Sequence, residues 1–473
     1  MTVPSPLPRW ARAADALVLF LIAAAVIVAF SGGFRVHIGS WPIAVRSPLP
    51  LLVWIVLVAL VRHVAAPQSP IYRDLPRRVA AAVRQPGVRQ SLAVVAGTRP
   101  AIFFVGYLAI FLFGYAGGAA PLRMFDSELM NLPVRWDTGW YLDIAINGYS
   151  FKPNEPQLQQ NIVFFPAYPM AVRAGGRLLG GSPEAYIASG VVLSLLALAG
   201  ALVYLYAFAR ELLPDEDARD ALWLIAAYPF ALFFGLIYTE SLFLLVAVAA
   251  FYHFRRGELG RAALWGLVAG LTRPNGCFLS VPLAVLAVSP WLPRLLAGGD
   301  AAGRARPPFV KAIAAAAAPG IGMLIYAAFV WRMTGDPLAW AEGHAAWGRT
   351  YQGLTALVTK RYAFLEHRGL EAYASTQTYD LLNALGVIFV LATTWPVYRR
   401  LGLAYAVFIL VNILPPLAAG GLMSAGRFSA VLFPSFVWLA SAVPARQRTA
   451  WIATFSAVQA FNAALFFTWR PLF

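Results

Sequence analysis

The sequence is short of almost everything a soluble domain uses to face water. Charged residues make up 12% of its 473 positions and hydrophobic ones 60%. Mean hydropathy is +0.67, which leaves too little polar surface to coat a globule of this size. Cysteine is reduced to Cys277, excluding an internal disulfide framework and a thiolate metal cluster; that residue reads as a small buried filler. No HExxH, no Cys/His spacing suited to zinc and no cluster of carboxylates for a divalent ion occurs, so neither metal nor cofactor is expected. No glycine-rich phosphate loop follows a strand, which argues against a nucleotide-sugar substrate. Acidic groups number 21 against 37 basic ones, nearly all Arg, for a formal net charge of +16. In a soluble protein that excess would point to nucleic acid. Here the basic groups lie in short loops between apolar runs, so they read as positive-inside topology and no nucleic-acid partner is expected. The Ala- and Arg-rich, Lys-poor composition suits a bacterial genome of high GC content.

What is present in abundance is apolar sequence in runs of spanning length. They fall near 14–31, 49–66, 101–118, 184–209, 311–332, 381–397, 402–420, 427–443 and 449–468. The first follows Arg9 and Arg12 but lacks a small-x-small cleavage site, so it is expected to stay as an anchor. The stretch 219–254 is interrupted by Tyr238-Thr239-Glu240-Ser241 and reads as two spans with a polar tip. The stretch 261–292 is broken by Thr272-Arg273-Pro274-Asn275-Gly276, a break tolerated where backbone lines a cavity, and could span or re-enter. The expectation is an all-α polytopic membrane protein of about thirteen transmembrane helices, range 11–13. Residues 1–100 would supply two helices and a basic cytoplasmic loop, and residues 101–473 a catalytic core. Arg62, Arg73, Arg77, Arg78, Arg84, Arg89 and Arg99 against Asp74 place the segment 62–99 inside. Arg255, Arg256 and Arg261, then Arg294, Arg304, Arg306 and Lys311, then Arg399 and Arg400, then Arg446 and Arg448 agree with strict alternation. The segments 119–161, 238–241, 272–276, 333–380 and 424–427 then converge on the non-cytoplasmic face, and the two long ones are expected to form amphipathic helices at the interface.

Among these segments the most specific is Arg135-Trp136-Asp137-Thr138-Gly139-Trp140-Tyr141-Leu142-Asp143, continuing through Gly148-Tyr149 to Asn161-Ile162-Val163-Phe164-Phe165-Pro166-Ala167-Tyr168-Pro169. A carboxylate between tryptophans, just beyond a span, can accept a proton from a hydroxyl; it can equally be a helix cap in an aromatic belt. This segment resembles the signature of the PIG-V mannosyltransferase family of the GT-C superfamily. Further on, Ala227-Tyr228-Pro229-Phe230 through Tyr238-Thr239-Glu240-Ser241 is similar to the family's span ending in a Tyr-x-Glu-Ser tip. Leu271-Thr272-Arg273-Pro274-Asn275-Gly276 resembles its Arg-Ser-Asn-Gly turn, with Pro274 in place of Ser. Gly335-Asp336-Pro337-Leu338-Ala339-Trp340 with Trp347-Gly348-Arg349 is similar to its bacterial branch. The match covers about 100 to about 440 in order; the first hundred residues have no counterpart.

The resemblance implies a polyprenyl- or dolichyl-phosphate-sugar donor, usually of mannose, an inverting transfer, and a catalytic Asp in the first outer loop of the core, which is Asp137 here. Asp143 is the weaker candidate. Displacing a lipid phosphate from an anomeric carbon needs a base for the acceptor hydroxyl and cations for the leaving phosphate. Arg273 and Arg427, at the outer ends of apolar spans, suit the second role, with snorkelling as the alternative. Glu240 could pair with one of them or bind sugar hydroxyls. Arg135, Trp136, Tyr141 and Asn275 complete the expected substrate-binding set, while His344 and His367 read as solvated side chains. The acceptor would be a lipid, glycolipid or other cell-envelope molecule, and the location the bacterial cytoplasmic (inner) membrane with the site on the periplasmic or extracellular face. A transporter or flippase of a lipid-linked substrate is the alternative, and a scaffold subunit without catalysis a third.

Overall fold

The computed structural model describes residues 8–31, 34–38, 41–45, 47–66, 68, 70–117, 123–153, 155, 157–291 and 308–472. Arg294, Arg304 and Arg306, counted above for orientation, and positions 119–122 of the first outer loop lie outside them. In chain order the helices are α1 (Arg9–Ser31), α2 (Leu49–Ala65), α3 (Ile71–Arg84), α4 (Pro86–Phe113), α5 (Glu128–Asn131), α6 (Thr138–Ile146), α7 (Ala167–Leu178), α8 (Pro183–Arg210), α9 (Asp215–Ala227), α10 (Glu240–Arg255), α11 (Leu259–Thr272), α12 (Ser280–Val288), α13 (Phe309–Thr334), α14 (Ala339–Glu342), α15 (Gly353–Thr376), α16 (Thr378–Leu401), α17 (Leu403–Gly420), α18 (Ala425–Ala430), α19 (Phe433–Ala442) and α20 (Ala445–Phe467). A small antiparallel hairpin, β1 (Phe34–Ile38) with β2 (Trp41–Val45), joins α1 to α2 and sets Phe34 opposite Val45. It is a minor addition to the helical architecture read from the sequence.

Among the described residues seven helices, α1, α4, α8, α13, α16, α17 and α20, are long and apolar enough to cross a membrane. The remaining expected spans correspond to shorter helices: α2, α9, α10, α11, Pro274–Val288 and α19. The protein is an integral membrane protein. One boundary differs from expectation. Helix α4 begins at Pro86, a residue suited to the first turn because its missing N–H would be unpaired there anyway. It then runs straight through residue 100, so Arg89 and Arg99, counted as loop charges, lie within a helix.

The reason Arg99 is buried is the break between α9 and α10. Pro229 lacks an N–H and forces Tyr228 into extended backbone, φ −53° and ψ 141°, which ends α9. The chain makes a 3-10 turn at Ala231–Gly235 and resumes helix at Glu240. Carbonyls freed away from water must find side-chain donors. Arg99 donates to Ala231 O at 2.5 Å and Ala226 O at 2.6 Å. From α20, Gln459 donates to Ala226 O at 3.1 Å and Tyr228 O at 3.0 Å, and Asn462 to Pro229 O at 3.0 Å. A similar stop ends α11, where Pro274 drives Arg273 into extended backbone at φ −164°, ψ 158°. At 1.5 Å per residue α9, α10 and α11 rise about 20, 24 and 21 Å, each short of a hydrocarbon core roughly 30 Å thick. The turns at their ends therefore sit below the rim of the bundle.

Replacing Arg99 by Leu should leave at least the Ala231 carbonyl unsatisfied in an apolar interior, costing about 1 to 3 kcal/mol. Thermal unfolding in detergent is expected to show a lowered midpoint; an unshifted one would mean that the break is held by α20 alone.

Candidate active site

The first outer segment reaches the bundle through a strained residue. Trp136 has φ +52°, the left-handed region that a bulky side chain enters at a cost of about 1 to 3 kcal/mol. Its indole donates to Phe466 O at 3.1 Å and packs on Trp469 with centroids 4.9 Å apart, which holds the turn. The next residue, Asp137, donates its backbone N–H to the Tyr238 hydroxyl at 3.1 Å, and that hydroxyl donates to Arg135 O at 3.2 Å. The helix break thus fixes Asp137 through Tyr238 and presents Glu240 two residues later.

Between the two carboxylates lies Arg427, on the short α18. It donates from Nη1 to Asp137 Oδ2 at 2.8 Å and from Nε to Glu240 Oε1 at 2.9 Å. Its guanidinium lies 4.7 Å from the ring centroid of Tyr238 and 4.9 Å from that of Phe233. Gly426 lets α18 come this close, since a Cβ there would meet the Phe230 ring at 2.3 Å. Glu240 is fully buried, and Asp137 keeps 22% of its side chain exposed. Arg273 approaches Glu240 Oε1 at 3.7 Å, a long contact that leaves its Nη1 without a hydrogen-bond acceptor although the residue is buried.

These groups open onto a cavity of about 440 Å³. Asp137, Arg273, Arg427, Asn275 and Tyr141 line it, with Phe164, Phe165, Phe278, Met323, Trp340, Trp347, Pro415 and Pro416 supplying apolar walls. Asn275 is oriented by its amide donating to Asn412 Oδ1 at 2.8 Å. The neighbouring Gly276 packs on the carbonyl of Ala269, where a Cβ would come within 1.9 Å.

Two further lining residues come from the long outer loop. Arg349 donates to Met423 O at 3.2 Å and shares the ring of Phe428 with Arg273, at 5.5 and 5.0 Å from its centroid. Burial, with the nearby cation of Arg427, lowers the Arg349 guanidinium to about 10, still charged at neutral pH. His344 is half-buried rather than solvated; burial and Arg349 lower its pKa to about 4, so the imidazole is neutral near pH 7. The Trp340 indole N–H close by has no partner.

The structure therefore gathers Asp137, Tyr141, Glu240, Arg273, Asn275 and Arg427 of the expected set, with Glu240 behind Arg427 rather than on the cavity wall. Two expectations are corrected. Arg135 does not face the cavity: it donates to Asn131 O at 2.5 Å, Val134 O at 3.0 Å and Phe467 O at 3.2 Å, stitching the segment to the end of α20. Trp136 turns the same way because of its φ. Asp143 accepts from Asn147 at 2.8 Å and Asn161 at 2.9 Å, a bracing role for the loop. Arg349 and His344 were the residues that sequence reasoning passed over. The Trp347-Gly348-Arg349 resemblance was a signal for the first; the second stands out in the sequence as a histidine near a candidate site but reads there as a solvated side chain.

A cation-rich, apolar-walled cavity recessed in a helical bundle suits a protein that handles an anionic amphiphile. Residues 122–288 match the model of the mannosyltransferase (PIG-V) family. The matched segment carries Asp137, Glu240 and Arg273 and ends before Arg349 and Arg427. Among solved structures, the chain is similar to the Archaeoglobus fulgidus oligosaccharyltransferase at 13% identity and a TM-score of 0.36, covering 77% of this chain and 53% of that one. The chain spans about half the length of that protein, in a superposition too loose to define a shared fold. No curated protein matches the chain.

Removing one partner of a buried ion cluster strands the other. Glu240→Leu should cost about 3 to 5 kcal/mol, with partial recovery in Glu240→Leu/Arg427→Met, read by chemical or thermal unfolding in detergent. Equal losses in single and double variants would show that the ions do not depend on one another. His344 makes a separate prediction. Because its folded pKa is lowered from 6.5 to about 4, the unfolded chain takes up the proton first. Stability should fall as pH drops through that window, and His344→Gln should flatten this part of the curve.

Proposed function

We propose that the protein transfers a sugar, mannose in the first instance, from a polyprenyl-phosphate donor to a lipid or cell-envelope acceptor with inversion at the anomeric carbon. The observation that carries this reading is the pairing, in one cavity, of the Asp137 carboxylate with two guanidinium groups that no carboxylate fully neutralises, Arg273 and Arg349. The donor's phosphate sits between these two, and its prenyl chain runs along the apolar wall formed by Phe278, Met323 and Pro415. Arg427 is already committed to Asp137 and Glu240, so it serves to aim the carboxylate and not to hold phosphate. The acceptor hydroxyl attacks the anomeric carbon while its proton passes to Asp137. The carbon–oxygen bond to phosphate breaks, and polyprenyl phosphate leaves with the bonding electrons against Arg273 and Arg349.

The neutral His344 imidazole faces the sugar's hydroxyls. Charge supports a site on the non-cytoplasmic side: Arg255, Arg256, Arg261, Arg446 and Arg448 lie at the ends of helices whose other ends approach the cavity, and Arg399 and Arg400 lie at the end of α16 remote from the outer loop. A bacterial cytoplasmic membrane is the setting that the composition favours.

Purified protein in nanodiscs, given a labelled short-chain polyprenyl-phosphate-mannose and a membrane lipid extract, should consume the donor. Asp137→Asn should lower turnover on the order of 10²-fold or more while the fold persists. Arg349→Gln should weaken donor binding by roughly tenfold. If wild type ignores this donor and other polyprenyl-phosphate sugars alike, the reading fails.

A further inference from the structure

Beside the first cavity lies a second of about 470 Å³, walled by α15, the start of α16, the end of α17 and the turn that follows. The two are back to back. Met423 lines both; Trp347 and Arg349 face the first while Gly348 between them faces the second, and Ala419 and Gly420 divide in the same way. The partition includes Gly348, Ala419 and Gly420, with the Arg349 side chain lying across Gly420. The linings differ in chemistry. Among the second cavity's charged groups, Arg361 is neutralised by Asp380, with Nε to Oδ2 at 2.7 Å and Nη2 to Oδ1 at 2.5 Å. Lys360, a solvent-exposed side chain on the pocket wall, donates to the neutral Gln352 amide oxygen at 3.1 Å. One cation without a carboxylate partner is left on the wall of a pocket of mixed polar and apolar lining that adjoins the proposed donor site.

A transfer between two lipids needs two entrances that converge, one for the prenyl chain and one for the nucleophile's head group. We propose that the second cavity is the acceptor subsite. It takes a hydroxylated head group that carries a phosphate, the phosphate against Lys360 and the reactive hydroxyl directed past Met423 toward Asp137. The proposal rests on the glycosyltransferase reading above and adds to it the place and chemical class of the acceptor.

The test uses the full chain in detergent with labelled polyprenyl-phosphate-mannose and measures two products, free sugar from donor hydrolysis and sugar transferred to acceptor. Acceptors are vesicles of phosphatidylglycerol, vesicles of phosphatidylcholine, which lacks a head-group hydroxyl, and soluble glycerol 1-phosphate. Two variants are compared with wild type: Lys360→Glu, which reverses the cation, and Leu357→Trp, which fills the pocket from α15. Transfer to phosphatidylglycerol should exceed the phosphatidylcholine background, and each variant should reduce it on the order of tenfold with donor hydrolysis unchanged. Unchanged hydrolysis also certifies that the variants fold. Transfer to glycerol 1-phosphate as efficient as to the lipid would retain the pocket and its chemistry while assigning it a soluble occupant.

Three results would overturn the proposal. Both variants could transfer as well as wild type, hydrolysis could fall in step with transfer, or wild type could hydrolyse the donor yet transfer to neither polyol phosphate. Absence of donor hydrolysis in wild type is a different failure, since it removes the glycosyltransferase reading itself and this proposal with it.

Discussion

Arg427 is the interaction on which the rest of the site depends. It reaches Asp137, 290 positions away in the chain, and Glu240, 187 positions away, from a helix of six residues. A lone charge at this depth would cost several kcal/mol, and so would either carboxylate without it. The cluster is tolerable only as a set, so forming it forces the first outer segment, the tip of α10 and α18 into one arrangement. Other features serve that arrangement. Tyr238 supplies a hydroxyl to the backbone of Asp137 and a ring to Arg427; Gly426 removes the side chain that would keep α18 away; Trp136 accepts strained backbone so that Asp137 turns inward.

The same constraint explains the broken helices. A continuous helix through residues 215–255 would put Tyr238 and Glu240 on a regular spiral with no freedom to meet two other segments. Breaking it exposes carbonyls, and Arg99, Gln459 and Asn462 are the donors that make the break tolerable. Their contribution is local satisfaction of backbone; what it secures is placement of a carboxylate.

Much of this was legible in the amino-acid sequence, for identifiable reasons. Apolar runs report spans because length and hydropathy are properties of contiguous residues. Asp137, Glu240, Arg273 and Arg427 stood out because a charge amid apolar neighbours is conspicuous, and Pro274 marked a break because proline acts on its own neighbours, whereas the break read at 238–241 begins earlier, at Pro229. Direction was not legible. Arg135 and Trp136 adjoin Asp137 in sequence but face α20, a matter of one positive φ that no neighbour announces. Arg99 counted as a loop charge because charge counting does not see that a helix began at Pro86. Arg349 and His344 lie in a polar loop where such residues are ordinary, and only the folding of that loop over the bundle makes them part of the cavity wall.

The charge balance of the site bears on how catalysis would work. Asp137 and Glu240 stand against Arg273, Arg349 and Arg427, three cations to two anions, with His344 neutral. The surplus of one positive charge matches the single charge of a phosphodiester donor. On the proposed reaction the leaving group becomes a monoester and gains negative charge as the glycosidic bond breaks. The two arginines nearest that phosphate therefore interact more strongly with the transition state than with the bound donor, and only such differential interaction speeds the chemical step. Their mountings differ in a way that suits this. Arg273 is fixed by the proline that follows it and lies beneath Phe428. Arg349 rides on a loop between Gly348 and Gly353, both at positive φ, and leaning on Gly420 it forms the partition to the second cavity. Each is held from a different element, Arg273 from the end of α11 and Arg349 from the loop before α15, so the two cations approach the cavity from separate sides of Phe428. Placing the second cation on the wall between the two cavities would also let departure of the donor remnant be felt on the acceptor side.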